Sequence, residues 1–564
     1  MKLLLSLLSS CLMAAHIVAC TPDQRANNAT WPSFRQPKKI AFSVFSGGSS
    51  HTNWVLSILE ELSIRDHTTT FLTKACLLLD TITYMIDGHK KFGESFPLIE
   101  TVSLGDDTNN INSFKLLTEN IREATLASTT VNFIKIMETT LEEDYQNTLQ
   151  FFKSREIDVV VCDHFCVSCQ EACTTLQIPF LITNSLAVSP DTEAPYINSD
   201  DLLMRVPTSL EMTFGDRVYK QLIEPVEIFL KTYRLIQERK QQHLSLGIKD
   251  PVYPHEERWK NSIKMFNTAF GFEPARPLGP LVEFVGPIIP KTAASVLSKD
   301  LSCFLTSHQR VAYIAFGQHA VSTESEITVL LAGLLEAYET GDIDGVIWST
   351  RGLGDIFPTR LTTQSNTTYA IHEFMRQETA NDIVFLDWAP QTAILEHPST
   401  IVFVTHAGAG SWHEGLHAGK RLVFFPFFAD QPVNSLMGEK FGMGLKVDYK
   451  GTRQEAAKAI QRVARDEDGF FQANVNRFQA LVQIKSKSGA SKGADLVEEV
   501  AFMHQNTVLH HRRDVKHDLP FFKAHNLDVY AFGLVVACLP FFAAMYTLKT
   551  YIKTDHLHEK TKLQ

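Results

Sequence analysis

Five short apolar runs in the second half of the chain, VAYIAFG (311–317), DGVIWST (344–350), DIVFLDW (382–388), IVFVTH (401–406) and RLVFFPF (421–427), alternate with helix-like stretches. Such runs, rich in β-branched and aromatic residues and without period-two alternation, read as strands buried on both faces. Strands alternating with helices require a parallel sheet covered on both sides. The first half opens in the same way: KKIAFSVF (38–45), a Gly/Ser turn, an apolar-periodic helix from about Trp54 to Leu62, and later a second buried strand, IDVVVCDHF (157–165). Residues 205–265 read as helical and charged, and EPARPLGPLVEFVGPIIP (273–290) as a proline-rich crossover between units. The expected class is α/β, with two Rossmann-like domains, 38–290 and 291–508, and GMGLKVD (442–448) and helices over about 453–505 closing the second.

At 564 residues the chain is too long for one core. Its net charge of −10 supplies no basic surface for nucleic acid, and that class is set aside. The start, MKLLLSLLSSCLMAAHIVAC, places Lys2 before an apolar run and small residues at Ala15 and Ala19, the pattern of a cleaved secretory signal over residues 1–20. Ile17-Val18-Ala19-Cys20 also has the look of a lipoprotein cleavage site. Val529 to Leu548 is a charge-free run of 20 residues, long enough to span a bilayer as a helix. Basic residues flank it on both sides, so orientation follows from the signal: a lumenal body and a cytosolic tail, 549–564. The tail ends KTKLQ, which resembles the dibasic retrieval signal of endoplasmic-reticulum membrane proteins, and the expected site is that membrane, crossed once. Sequons at Asn28 and Asn366 agree with a lumenal, glycosylated body.

Four of the nine cysteines cluster as Cys162, Cys166, Cys169 and Cys173. The run starts at a strand end and continues at helical spacing, so small buried side chains on one helix face are preferred over a metal site. Cys76 and Cys303 suggest no disulfide framework. Asp342-Ile343-Asp344 mimics a metal-binding D-x-D, but its place in a helix-to-strand turn predicts that it faces solvent.

HAGAGSWHEGLHAG (406–419) follows one of the buried strands and opens a helix. Backbone N–H groups at Gly408, Ala409, Gly410 and Ser411 would point outward at the helix's positive end, which makes an anion site. The same stretch contains His413-Glu414-x-x-His417, a zinc-protease spacing, with Glu439 a conceivable third ligand. Lys420 and Val423 stand where the extended metzincin pattern needs glycine and histidine, which disfavours that reading.

The whole segment DWAPQTAILEHPSTIVFVTHAGAGSWHEGLHAGKRLVFFPFFADQPVN closely resembles the signature box of UDP-glycosyltransferases, 44 residues from Trp388 to Gln431. The resemblance implies a GT-B fold and assigns roles. Trp388 stacks on uracil, the Ala389 backbone reads the base edge, and Gln391 supports the nucleoside. Glu414 holds the ribose diol, His406 and Ser411 with the turn amides bind the diphosphate, and Asp430 and Gln431 bind the sugar hydroxyls. Ala409-Gly410 replaces the Trp-Asn of many plant members, and Gln318 replaces the serine of the family's FGS turn. The end of the chain, HDLPFFKAHNLDVYAF with its anchor, looks like the tail of animal endoplasmic-reticulum members.

In this family the general base lies in a GG-x-S-H context before a helix ending R-x-H; here SGGSSH places His51, and the helix runs from Leu56 to Arg65-Asp66-His67. Asp163 matches its acidic partner, with His164 beside it as a rival. A neutral imidazole must remove the acceptor's proton during attack, and a buried carboxylate orients the ring. The resemblance implies an inverting hexosyltransferase acting on a lipophilic hydroxyl acceptor, with no metal or other cofactor. UDP-glucose is favoured over UDP-glucuronate because Ala409 supplies no cation for a uronate. The alternatives are a non-catalytic lumenal binder of nucleotide sugar or lipid, and a zinc metalloprotease.

Overall fold

The computed structural model describes residues 34–45, 48–75, 96–106, 125–198, 208–290, 296–317, 320–376 and 382–562. The expected signal, Asn28, Cys76, Gln318 and the last two residues lie outside them.

Seven parallel strands form the first sheet: β1 (Lys39–Ser43), β2 (Thr68–Ala75), β3 (Glu100–Asp106), β4 (Val159–Asp163), β5 (Phe180–Asn184), β6 (Lys264–Phe266) and β7 (Val282–Phe284), in the order β3-β2-β1-β4-β5-β6-β7. The stretch 273–290, read above as a crossover, therefore holds an edge strand. β7 is three residues long, too short for periodicity to reveal between prolines.

The second sheet is built from β8 (Val311–Ala315), β9 (Gly345–Ser349), β12 (Ile383–Leu386), β13 (Thr400–Thr405), β14 (Arg421–Phe424) and β15 (Gly444–Lys446). A small hairpin, β10 (Leu361–Thr362) and β11 (Thr368–Tyr369), stands apart from it. Its order is β12-β9-β8-β13-β14-β15, again all parallel. Every residue of β4, β8, β9 and β14 is buried, as continuous apolar runs demand of strands covered on both faces.

Each sheet reverses its winding once: between β1 and β4 in the first, and between β8 and β13 in the second. Crevices for ligands open at the carboxyl ends of such strand pairs. Gly48 to His51 follow β1 and Asp163 ends β4; Gly317 and the HAGAGS turn follow β8 and β13.

Helix α1 (Ser49–Ile64) follows β1 and buries Trp54, Val55, Leu56, Ile58, Leu59 and Leu62 in the first core. Further helices are α2 (Val167–Leu176), α3 (Ala409–His417), α4 (Gln431–Lys440) and the long α5 (Phe470–Met503). Val475 and Val482 of α5 join the second core, whereas Ala494, Val497 and Val500 join the first. A Cβ on Gly493 would lie 2.3 Å from Ile58 Cδ1, so glycine lets α5 reach α1 closely. Arg65 Nη1 donates to Asp495 and Glu498, 2.6 Å each, and His67 Nε2 lies 3.1 Å from Glu498. The R-x-H at the end of α1 is thus a brace between the two halves.

Helix α6 (Leu527–Lys562) contains Leu527–Ile552, long and apolar enough to cross a membrane, with none of it buried. Asn366 is exposed in the turn of the β10–β11 hairpin.

Candidate active site

His51 occupies the first turn of α1, and Asp163 is the last residue of β4. Because β1 and β4 are hydrogen-bonded neighbours, residues 112 apart in sequence meet: His51 Nδ1 lies 2.9 Å from Asp163 Oδ2. With Nδ1–H donating to the carboxylate, Nε2 carries the free lone pair. The carboxylate side chain is 1% exposed and the imidazole 15%, so the ring is the member a substrate can reach.

Burial pulls His51 towards neutrality, but the Asp163 carboxylate outweighs it, with help from Asp430, and the imidazole's pKa is raised. Burial would push Asp163 up; His51 and His164 reverse this and hold it well below the usual carboxylate range. His164 is a poorer candidate for the base, because its Nδ1 lies 3.2 Å from the Thr183 carbonyl and 3.6 Å from Asp163 Oδ1. Its ring stacks on His51 at 5.3 Å, and Phe165 covers His51 at 5.1 Å.

In the other half, the imidazole of His406 fixes the turn. A Cβ on Gly408 would lie 2.4 Å from its Nε2, and one on Gly317 2.7 Å, so both glycines exist to admit the ring. Ala407 takes a left-handed conformation, φ +67°, and Gly408 caps α3 without a side-chain bond. Of the four amides expected to face an anion, that of Ala409 donates to Asp430 Oδ2 at 3.1 Å. Gly410 and Ser411 lie in the first turn of α3, and a Cβ on Gly410 would stand 3.8 Å from Ser50 Cβ. The two helix N-termini, one from each half, face each other.

Asp430 also accepts from Asn434 Nδ2 at 2.8 Å, and burial pushes its pKa up to about 6 despite these bonds. The sequence signal for Asn434 is its place four residues after Asp430, one turn along α4. Gln431 is buried, and its side-chain oxygen accepts from the Phe427 and Phe428 amides at 2.9 and 3.2 Å. Its amide nitrogen is then what it offers to a ligand.

Gln391 Nε2 donates to Glu414 Oε2 at 2.6 Å, uniting two residues expected to serve one nucleoside. Burial raises the Glu414 pKa, and the Gln391 bond opposes it. Trp388 follows β12 and is 42% exposed, while Ala389, next in sequence, is buried.

The zinc spacing does not assemble. His413 is buried edge-on to Phe272 at 4.6 Å, with its pKa driven down to about 3 by burial. Glu414 is held by Gln391, and Glu439 Oε1 accepts from the Lys446 amide at 2.6 Å.

Two expectations need correction. Cys162 and Cys169 form a disulfide rather than packing as separate thiols, because a residue near the end of β4 and one in the first turn of α2 are brought together by the tight strand-to-helix turn; Cys166 and Cys173 remain free and buried. Asp342 does not face solvent: it is buried and takes a two-pronged contact from Arg465, at 2.6 and 2.9 Å. Asp344 accepts from the Gln309 and Arg310 amides.

A family model described as "UDP-glucoronosyl and UDP-glucosyl transferase" matches residues 43–562. The chain is 25% identical to the UDP-glycosyltransferase stmC of Aspergillus ustus over 544 residues, covering 91% of this chain and 98% of that one. It is 23% identical to the human UDP-glucuronosyltransferase 2A3 over 535 residues, covering 91% and 93%. Among solved structures, a UDP-glucosyltransferase from Polygonum tinctorium superposes with a TM-score of 0.54 at 20% identity, over 84% of this chain and all of that one. This likeness carries the fold: two Rossmann-like halves of GT-B type facing across a cleft.

Proposed function

The chain belongs to the UDP-glucuronosyl and UDP-glucosyl transferase family, and from that premise we propose that it transfers glucose from UDP-glucose to a hydroxyl of a small lipophilic acceptor, with inversion at the anomeric carbon. The observation that carries this reading is the His51–Asp163 hydrogen bond of 2.9 Å, close enough to the donor turn for the Asp430 carboxylate to act on His51.

In the proposed reaction the acceptor hydroxyl sits against His51 Nε2, which removes its proton as the oxygen attacks the anomeric carbon. Asp163 keeps the ring in one tautomer and stabilises the imidazolium. The bond to UDP breaks in the same step, and the charge developing on the diphosphate falls on His406 and the free amides of the α3 N-terminus. A single displacement turns an α-linked donor into a β-glycoside. Trp388, Ala389, Gln391 and Glu414 hold uridine; Asp430 and Gln431 hold the hexose. A buried acid at the sugar end, with Ala409 rather than a cation in the turn, supports a neutral hexose over a uronate. No metal or other cofactor takes part.

We place the body in the endoplasmic-reticulum lumen, tethered by α6 and facing lipophilic acceptors that partition into the bilayer. Measuring UDP release from UDP-glucose, UDP-glucuronate and UDP-N-acetylglucosamine, with mixed lipophilic phenols, sterols and alcohols and EDTA present, tests the reading. Release is expected from UDP-glucose and is lost in His51→Ala. Release unchanged in that variant, or from no donor, contradicts it.

A further inference from the structure

Six residues separate the two half-cystines, and the first three of them are the residues packed on His51. Asp163 bonds it at 2.9 Å, and the rings of His164 and Phe165 stack on it at 5.3 and 5.1 Å. We propose that Cys162 and Cys169 are positioning residues for the acid–base pair, their disulfide clamping the loop that presents Asp163, His164 and Phe165 to His51. The proposal rests on the reading of His51 and Asp163 as that pair.

Cys162 lies one residue before the end of β4, and Cys169 is the third residue of α2. The chain must pass from strand to helix between them in a few residues. Two short bonds shape that turn: Cys166 N to Asp163 O at 2.9 Å, and Phe165 N to Asp163 Oδ1 at 3.0 Å. The second uses the carboxylate that must also hold His51. Each time His51 gains or loses a proton, the pull on Asp163 changes, and with it the bond that shapes the loop. A covalent link between the loop's two ends does not depend on that charge, so it keeps the carboxylate in register through the cycle. A bridge closing so short a loop restrains the unfolded chain less than one closing a long loop, which leaves its main consequence local.

The neighbouring thiols are suited to leaving the bridge alone. The Cys173 sulfur converges with Cys162 and Cys169 within 4.8 Å. Burial raises the Cys173 thiol well above its ordinary range and the Cys166 thiol to about 11. Exchange requires a thiolate, and neither side chain readily becomes one. Cys166 is further engaged with Ser43 Oγ at 3.5 Å.

The test uses the full-length enzyme in detergent, with UDP-glucose and an acceptor that supports turnover. Four forms are compared: wild type, the double variant Cys162→Ala/Cys169→Ala, Cys173→Ala, and His51→Ala. Affinity for UDP, which is held in the other half, and the thermal midpoint report whether each variant is folded. In the double variant kcat is expected to fall about 10- to 100-fold, the cost of a slightly misplaced catalytic group. KM for UDP-glucose stays unchanged, and the acidic limb of the pH–kcat profile moves to lower pH as Asp163 loosens its hold on His51. Cys173→Ala behaves as wild type. Three results overturn the proposal: mass-spectrometric mapping that finds Cys162 and Cys169 as free thiols in active enzyme; a folded double variant with unchanged kcat and pH limb while His51→Ala is inactive; or a loss carried entirely by KM or by unfolding. If His51→Ala retains activity, the acid–base reading itself fails, and the role of the bridge fails with it.

Discussion

The two halves of this molecule put their chemistry at the same topological place by opposite means. In the second half, Trp388 to Gln431 is one continuous stretch running from β12 to the start of α4, and it relies on backbone amides, glycines and acids braced by amides. In the first half the proposed pair consists of side chains alone, from residues 112 apart that adjacent strands bring together. A nucleotide presents several groups that must all be met at once, which favours a long contiguous box. Proton removal from a variable acceptor needs one base and its carboxylate, with the rest of the surface left to shape. The halves should therefore respond differently to damage: kcat for the first, donor affinity for the second.

The largest separation is expected from His51→Ala, which should lower kcat about 10²–10⁴-fold with the UDP Kd unchanged in titration calorimetry. Asp163→Asn should follow, and its pH profile carries a sign. The base works when neutral, so activity rises with pH through the His51 pKa, which Asp163 raises. Removing that charge moves the rise to lower pH while the maximum falls. In the other half, Glu414→Gln should weaken UDP-glucose binding about 10- to 100-fold, equivalent to the 1.5–3 kcal/mol of a hydrogen bond to a charged group, with kcat at saturation little changed. Gly408→Ala drives a methyl into His406 and should cost about 1–3 kcal/mol, read as a lower thermal midpoint together with a higher KM for the donor.

The smallest effect concerns the histidine that imitates a zinc ligand. His413→Phe should leave turnover unchanged and insensitive to chelators. His413 is buried with its pKa lowered to about 3, so the unfolded chain binds its proton first, and stability is lost as pH falls from the ordinary histidine value of about 6.5 towards 3. The phenylalanine variant should lose less thermal stability over that acidic range.

Legibility followed the same contrast. The strands of the second half were readable because each is a continuous apolar run, and its box was readable because its residues are neighbours in sequence. The first half gave up β1, β4 and the His51 turn, but not β2 (TTTFLTKA), whose threonines mask a strand buried in the sheet, nor β6 and β7, three residues each. The Cys162–Cys169 bridge was hidden because helical spacing alone points three of the cysteines to one face and says nothing of the strand end that approaches them. The burial of Asp342 is hidden from the local sequence for a similar reason: its partner Arg465 is 123 residues away. Gln431 looked like a free ligand group, whereas closing its own loop occupies half of it.

The central claim is a single displacement driven by His51. Its most direct test is the anomeric configuration of the glycoside formed from α-linked UDP-glucose, read by proton NMR before the product can be hydrolysed or rearranged. The account predicts the β-glycoside alone. An α-glycoside would mean retention, and with it a mechanism that the His51–Asp163 pair does not perform.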